Sequence, residues 1–253
     1  MRTFLTATVA AAALLGAATA AQAQAVGHVG ANWTHSDADI AGFDFDGDAF
    51  QLEGAAAFKV GGLGAQVDGS FTDGKDMDAL WSATGHLNGN LGGALVGGFV
   101  GFETTDDVTT WGLGVEAQAD LAPNTVLYGQ LGYGQNDIDG GPDADLWAVR
   151  GELRQYFAEN IRLSGSVGYT NVDLKGFSSA DVWNFGVEGE YQFAGTPFSL
   201  YAGYLRTEAD DADFSANTFQ VGARYTFGGA TLRGRDAAGA MLGGVSKLFG
   251  GLN

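Results

Sequence analysis

The chain has 253 residues, with 42 glycines, 3 prolines, no cysteine and a formal charge of −18 at pH 7. Without cysteine there is neither a disulfide framework nor a thiolate metal site. So acidic a chain makes nucleic acid an unfavourable partner, and the glycine and aromatic content does not suit a disordered or helical protein.

The first residues read as an export leader. Arg2 is followed by an apolar run through Leu5, Val9 and Leu14–Leu15, then by Ala21-Gln22-Ala23, which has the small-x-small form of a cleavage site. The run is too short and alanine-rich for a spanning helix, so residues 1–23 are expected to be a signal peptide and the mature chain to start near Gln24. No other stretch approaches the roughly 18 apolar residues of a spanning helix. Any membrane crossing must therefore use strands.

From Val26 to Phe227 one unit repeats, a stretch in which every second residue is apolar. Period-2 alternation marks twelve such stretches: Val26–Thr34, Ala49–Val60, Leu63–Thr72, Asp78–Leu87, Gly92–Glu103, Val108–Leu121, Thr125–Gln135, Asp145–Phe157, Ile161–Asn171, Asp181–Phe193, Phe198–Arg206 and Thr218–Phe227. Tight connections such as Gly61-Gly62, Asn88-Gly89-Asn90 and Ala122-Pro123-Asn124 alternate with longer acidic ones. The acidic ones hold Asp37, Asp39, Asp44, Asp46 and Asp48, then Asp106 and Asp107, then Asp137, Asp139 and Asp143. A sheet apolar on one face must meet something other than water, and strands in hydrocarbon must close so that no backbone group stays unpaired. The expected fold is all-β, an antiparallel up-and-down transmembrane barrel of about twelve strands over residues 24–228. Its short turns and both termini lie on the periplasmic side.

The aromatic residues give independent support. Trp33, Trp81, Trp111, Trp147 and Trp183 all fall in phase with the apolar face and at the loop end of their strands. Phe58, Phe157, Tyr191, Phe193, Phe198 and Phe227 hold the matching positions at the turn end. Trp111 to Leu121, Trp147 to Phe157 and Trp183 to Phe193 each span ten residues, close to the roughly 9–11 that a tilted strand needs to cross a bilayer. The five tryptophans are read as an aromatic girdle.

The opposite face is polar. Its charged members are Glu53, Asp68, Glu116, Arg150, Glu152, Arg154, Arg162, Glu188, Glu190 and Arg224, and hairpin register sets Arg162 opposite Glu190. Glu116, Arg150, Glu152, Arg154, Arg162, Glu188, Glu190 and Arg224 are the expected pore-lining residues. Opposed charges at a constriction would select solutes by a transverse field. Paired charges would instead cross-link and fill a closed lumen. The residues alone leave both open. An arginine placed at Gln118, on this face, is expected to be tolerated.

With these features the chain resembles the small porin-like outer-membrane β-barrel proteins of Gram-negative bacteria, over the leader and residues 26–227. The most specific local match is the last stretch, where Gln220, Gly222, Tyr225 and Phe227 fit the polar-x-glycine-x-x-aromatic-x-aromatic terminal-strand signal of such barrels. The resemblance implies that the barrel assembly machinery reads these four residues. It also implies an outer-membrane location, with lipid and lipopolysaccharide around the barrel and small hydrophilic solutes passing through it as through a porin. One departure stands out. Family members usually end on the aromatic residue, whereas this chain continues through residues 229–253, expected as a C-terminal periplasmic tail. Packing at the inner membrane face of the barrel and entry into the lumen as a partial plug are left open. Met241, Val245, Leu248 and Phe249 recur there at roughly helical spacing among glycines that oppose a free helix.

Catalytic and metal chemistry finds little support. Only His28, His35 and His86 are available. Ser82 shares a face with His86 but stands roughly 13 Å away at strand rise, beyond hydrogen-bond reach. Asp44-Phe45-Asp46-Gly47-Asp48 lacks the distal glutamate and flanking helices of a calcium loop. No enzyme activity, cofactor or dedicated metal site is expected. A monomeric channel is the reading, and a structural or surface-interaction barrel with a closed lumen is its alternative.

Overall fold

A computed structural model describes residues 25–250 except 76, 177–178, 210–212 and 230. The expected leader lies outside the described residues, as do residues 251–253. Twelve antiparallel strands close into one barrel: β1 (Val26–Ile40), β2 (Phe43–Val60), β3 (Leu63–Gly74), β4 (Met77–Leu91), β5 (Ala94–Thr104), β6 (Val108–Ala122), β7 (Thr125–Ile138), β8 (Ala144–Ala158), β9 (Ile161–Leu174), β10 (Ser179–Gln192), β11 (Phe198–Ala209) and β12 (Phe214–Phe227). Each strand pairs with its neighbours in sequence, and β1 closes onto β12 from Gly27↔Phe227 to Ile40↔Phe214. The start of β1 and the end of β12 therefore lie together at the turn end.

The outward face between the aromatic rings is apolar and open. Val115 is 59% exposed and Val187 46%; Leu113 follows the same face on the strand of Val115, and Leu131 and Val167 stand on neighbouring strands. A continuous band of this kind fits hydrocarbon and does not fit water. At its loop-end border Trp111 packs on Tyr133, Trp147 on Tyr169, Trp183 on Tyr169 and Trp81 on Phe71. At the other border Tyr191 packs on Phe193 and Phe198 on Tyr225.

Two features differ from the sequence expectation. The strands run well past the tryptophans, and Asp37, Asp39, Asp44, Asp46 and Asp48 sit on a β1–β2 hairpin, not in a loop. That hairpin closes through Ala41 and Gly42, both at positive φ, the geometry of a two-residue hairpin turn. Outward apolar alternation reports contact with lipid, whereas the hydrogen-bonded ladder continues beyond it with the aspartates on that face and Ala38, Ile40, Phe43 and Phe45 on the other. The alternation therefore stops before the strand does. The second difference is the β4–β5 turn, expected at Asn88-Gly89-Asn90. Pairing continues to Leu91↔Ala94 and the turn is Gly92-Gly93, with φ of 61° and 93°. Two adjacent glycines meet the demand for positive φ at both positions without strain.

Arginine in place of Val115 or Val187, facing the bilayer midplane, should destabilise the inserted barrel by roughly 2–4 kcal/mol. Gln118 is not the neutral inward control that its direction suggests. It is 5% exposed, accepts from Arg154 and donates to the Asp236 carbonyl. Ser166, which lines an internal cavity, is the better control. Equilibrium unfolding in detergent or bilayers should rank Val115→Arg and Val187→Arg far below Ser166→Arg, and equal stabilities would contradict the lipid-facing assignment.

Candidate functional site

The charged residues expected in the lumen do face it, and they meet as neighbours along the wall. Glu190 on β10 stands directly opposite Arg162 on β9, with their atoms 3.0 Å apart. Arg162 also bonds Glu188, and Arg224 on β12 reaches Glu188 at 3.1 Å, Glu190 at 3.0 Å and Glu53 on β2 at 2.6 Å. Along β8, Arg150 and Arg154 flank Glu152 at 2.6 and 2.7 Å. Glu116 belongs to a third group. It binds His86 Nδ1 at 2.9 Å and accepts from the Tyr128 hydroxyl at 2.7 Å, while Asp68 holds His86 Nε2 at 2.7 Å. Some of these contacts join adjacent strands, as Arg162 with Glu190 and Glu116 with Tyr128. Others reach across an intervening strand, as Arg224 with Glu53 and His86 with Glu116, and the Arg150–Glu152–Arg154 run stays within β8. Of the two readings left open by the residues, paired charges therefore describe this wall.

The described part of the tail, residues 231–250, runs inside the barrel, the lumen placement among those the residues left open. It forms α1 (Leu232–Ala237), a turn over residues 238–241, a short connection that is extended at Gly244, and α2 (Val245–Phe249). Thr231 caps α1 by accepting from the Gly234 amide and donates to Glu159 at the β8–β9 turn. Arg233 reaches Asp120 at 2.7 Å. These contacts hold the entry of the tail against the turn end.

Charge explains the docking. In the β2–β9–β10–β12 group, Glu53, Glu188 and Glu190 oppose only Arg162 and Arg224, so the wall alone carries one net negative charge. On β8, Arg150 and Arg154 oppose only Glu152, leaving one positive charge. The tail supplies both missing partners from adjacent positions. Arg235 binds Glu190 at 2.7 Å, and Asp236 binds Arg154 at 2.6 Å and the Tyr156 hydroxyl at 2.7 Å. Arg235 and Asp236 are both fully buried. An unpaired charge at such depth is costly, so this pair fixes where the tail sits.

Packing does the same at the other end. Val245, Leu248 and Phe249 join Phe99 and Ala148 in an apolar cluster, while Leu232 packs on Val126 and Tyr156. The inner face of β6 and β7 carries glycine at the contact points. A Cβ on Gly112 would lie 2.6 Å from the Phe249 ring, one on Gly134 2.7 Å from the same ring, and one on Gly132 2.6 Å from Leu248. Missing side chains thus form the groove that α2 occupies.

Beside the tail remains a cavity of about 120 Å³, lined on the wall by His28, Glu53, Arg150, Glu188 and Arg224 and on the tail by Met241 and Lys247. Sequence reasoning missed Arg235, Asp236 and Lys247 as lumen residues. It also missed Gln66, Tyr128, Gln130 and Thr84 as residues that hold the tail. A usable signal was present. The inner positions Phe99, Gly112, Gly132 and Gly134 carry no polar side chain and match the apolar Val245, Leu248 and Phe249.

Of the three histidines, His86 has both ring nitrogens on carboxylates and His35 lies between Asp37 and Asp48 at 3.4 and 2.9 Å. His28 lines the cavity wall. The terminal-strand residues sit on β12, where Gln220 points inward to Glu188 at 3.2 Å and Tyr225 faces outward against Phe198.

Comparison with known proteins agrees with this architecture. The family model described as Gram-negative porin matches residues 38–234. No curated protein matches in sequence. Among solved structures, the KdgM porin superposes with a TM-score of 0.53 at 12% identity, over 78% of this chain and 99% of that one. An outer-membrane channel from Pseudomonas putida F1 gives 0.57 at 11% identity over 81% and 96%. The translocator domain of the autotransporter NalP from Neisseria meningitidis gives 0.55 at 13% identity over 89% and 98%. At these identities the likeness is one of fold.

Replacing Glu190 by glutamine leaves three guanidinium groups, Arg162, Arg224 and Arg235, against two carboxylates. The loss should be about 3–5 kcal/mol, the cost of stranding a buried charge. Heat- or urea-induced unfolding on detergent gels should show it, and a variant as stable as the parent would contradict the buried network.

Proposed function

The chain belongs to the Gram-negative porin family, and we propose that this outer-membrane porin-like channel passes small hydrophilic solutes by passive diffusion. The observation that carries the reading is a lipid-facing apolar band wrapped around an inner wall that is polar and charged, with a cavity running beside the tail. A barrel of eight strands is filled by its side chains and one of sixteen leaves an aqueous channel, so twelve strands give room for both a tail and a narrow path.

The finer assignments follow the same reading. The turn end faces the periplasm, the barrel assembly machinery reads Gln220, Gly222, Tyr225 and Phe227, and lipopolysaccharide surrounds the acidic loop end. The chain works as a channel and not as an enzyme, since carboxylates hold both ring nitrogens of His86. A second reading, a structural barrel with a closed lumen, is favoured by one observation, the tail segment packed inside.

The mouth decides ion preference. Asp37, Asp39, Asp44, Asp46 and Asp48 crowd the β1–β2 hairpin at the loop end, while the wall charges neutralise one another. Cations should therefore be enriched over about one Debye length, roughly 8 Å at physiological salt and only about 3 Å at 1 M. Reversal potentials in planar bilayers should show a weak cation preference at low salt that fades toward about 1 M. Replacing Asp37, Asp39, Asp44 and Asp46 by asparagine should remove it. Anion preference at low salt would refute the charge argument, and a folded barrel that conducts in no form would favour the closed structural one.

A further inference from the structure

We infer that the inner wall of the barrel is a binding site for peptide main chain, occupied in cis by residues 241–245, and that the docked tail closes the wide path through the lumen. The first half stands on contacts alone, and the second rests on the channel reading above.

The contacts address backbone atoms. Gln66 uses its amide as a peptide would, accepting from the Leu242 N–H at 3.1 Å and donating to the Leu242 carbonyl at 3.0 Å. Gln130 donates to the Gly243 carbonyl at 2.5 Å, and the Gly243 N–H donates to the Tyr128 hydroxyl at 3.0 Å. The Val245 N–H donates to the Thr84 hydroxyl at 3.0 Å, and Arg154 donates to the Met241 carbonyl at 2.8 Å. Five side chains on β3, β4, β7 and β8 thus read a short non-helical stretch of chain through its backbone N–H and C=O groups. Such hydrogen bonding recognises a peptide whatever its side chains.

Selectivity comes from space and from the two flanks. A Cβ on Gly244 would lie 2.5 Å from an Asp68 carboxylate oxygen and 2.8 Å from the Thr84 hydroxyl, so the wall admits glycine there. On one flank the Arg235–Asp236 pair meets a wall that lacks one cation and one anion. On the other, Leu248 and Phe249 enter the groove left by Gly112, Gly132 and Gly134. The ligand class is therefore a short peptide with an adjacent cation and anion, a glycine-bearing centre and an apolar end.

The test compares the full chain with a barrel ending at Gly228, whose folding is checked by circular dichroism and heat-modified gel migration. In planar bilayers the shortened barrel should conduct several-fold more than the full chain. A synthetic peptide of residues 229–253 should return it to the full-length level, and the same peptide carrying Gly244→Val should not. Equal conductance with and without the tail, unchanged by the peptide, would overturn the plug. If the shortened barrel does not fold, the full chain carrying Gly112→Val serves, because the three atoms nearest to a Cβ there all belong to the tail. Trypsin should then cut after Arg235 and Lys247, bonds that the parent protects. Rapid cleavage of the parent at these two bonds, with its strands intact, would overturn the site. If no form conducts while the protection and the peptide binding by calorimetry persist, the channel reading fails and the peptide site stands.

Discussion

Hydrocarbon on the outside governs the rest of this structure. A strand in lipid has no water to satisfy its N–H and C=O groups, so the sheet must close, and twelve strands do so through the β1–β12 pair. Closure fixes the direction of every side chain. Alternate residues meet lipid and are apolar, and the remainder are forced into a narrow interior. That interior lies between the eight-stranded barrel that side chains fill and the sixteen-stranded one that leaves an aqueous channel.

Two forces then act on the interior, and they act at different heights. Near the turn end charge dominates. A wall with an excess carboxylate beside Glu190 and an excess guanidinium on β8 is neutralised by the adjacent Arg235 and Asp236. A buried pair of this kind adds little stability relative to apolar residues, but it strongly penalises any other register of the tail. Nearer the loop end apolar burial dominates, where Val245, Leu248 and Phe249 cover Phe99 and the glycines of β6 and β7. Each buried aliphatic or aromatic side chain contributes roughly 1.5–3 kcal/mol. Location is set by charge and retention by apolar contact. The backbone-directed bonds between the two regions keep the stretch from Met241 to Gly244 against the wall.

The barrel was legible in the sequence because period-2 alternation and the phase of five tryptophans both report lipid contact, which is a strong and repeated demand. The ends of the strands were less legible because beyond the lipid that demand disappears while hydrogen bonding does not, as the Asp37–Asp46 and Asp39–Asp44 pairings show. The Arg162–Glu190 register followed from the hairpin alone. The tail was not placed. Its glycines, Gly239, Gly243 and Gly244, oppose a free helix, and what orders them is a surface formed by β3 to β8, which no local pattern displays. The complementary clue lay in what the wall lacks: side chains at 112, 132 and 134, and one charge of each sign.

Amide hydrogen exchange on the full chain in bilayers tests the account most directly. If the barrel holds its own tail, the amides of Leu242, Gly243 and Val245, which donate to Gln66, Tyr128 and Thr84, should exchange as slowly as those of the neighbouring strands. Exchange of these three amides within seconds, while the strands stay protected, would contradict it.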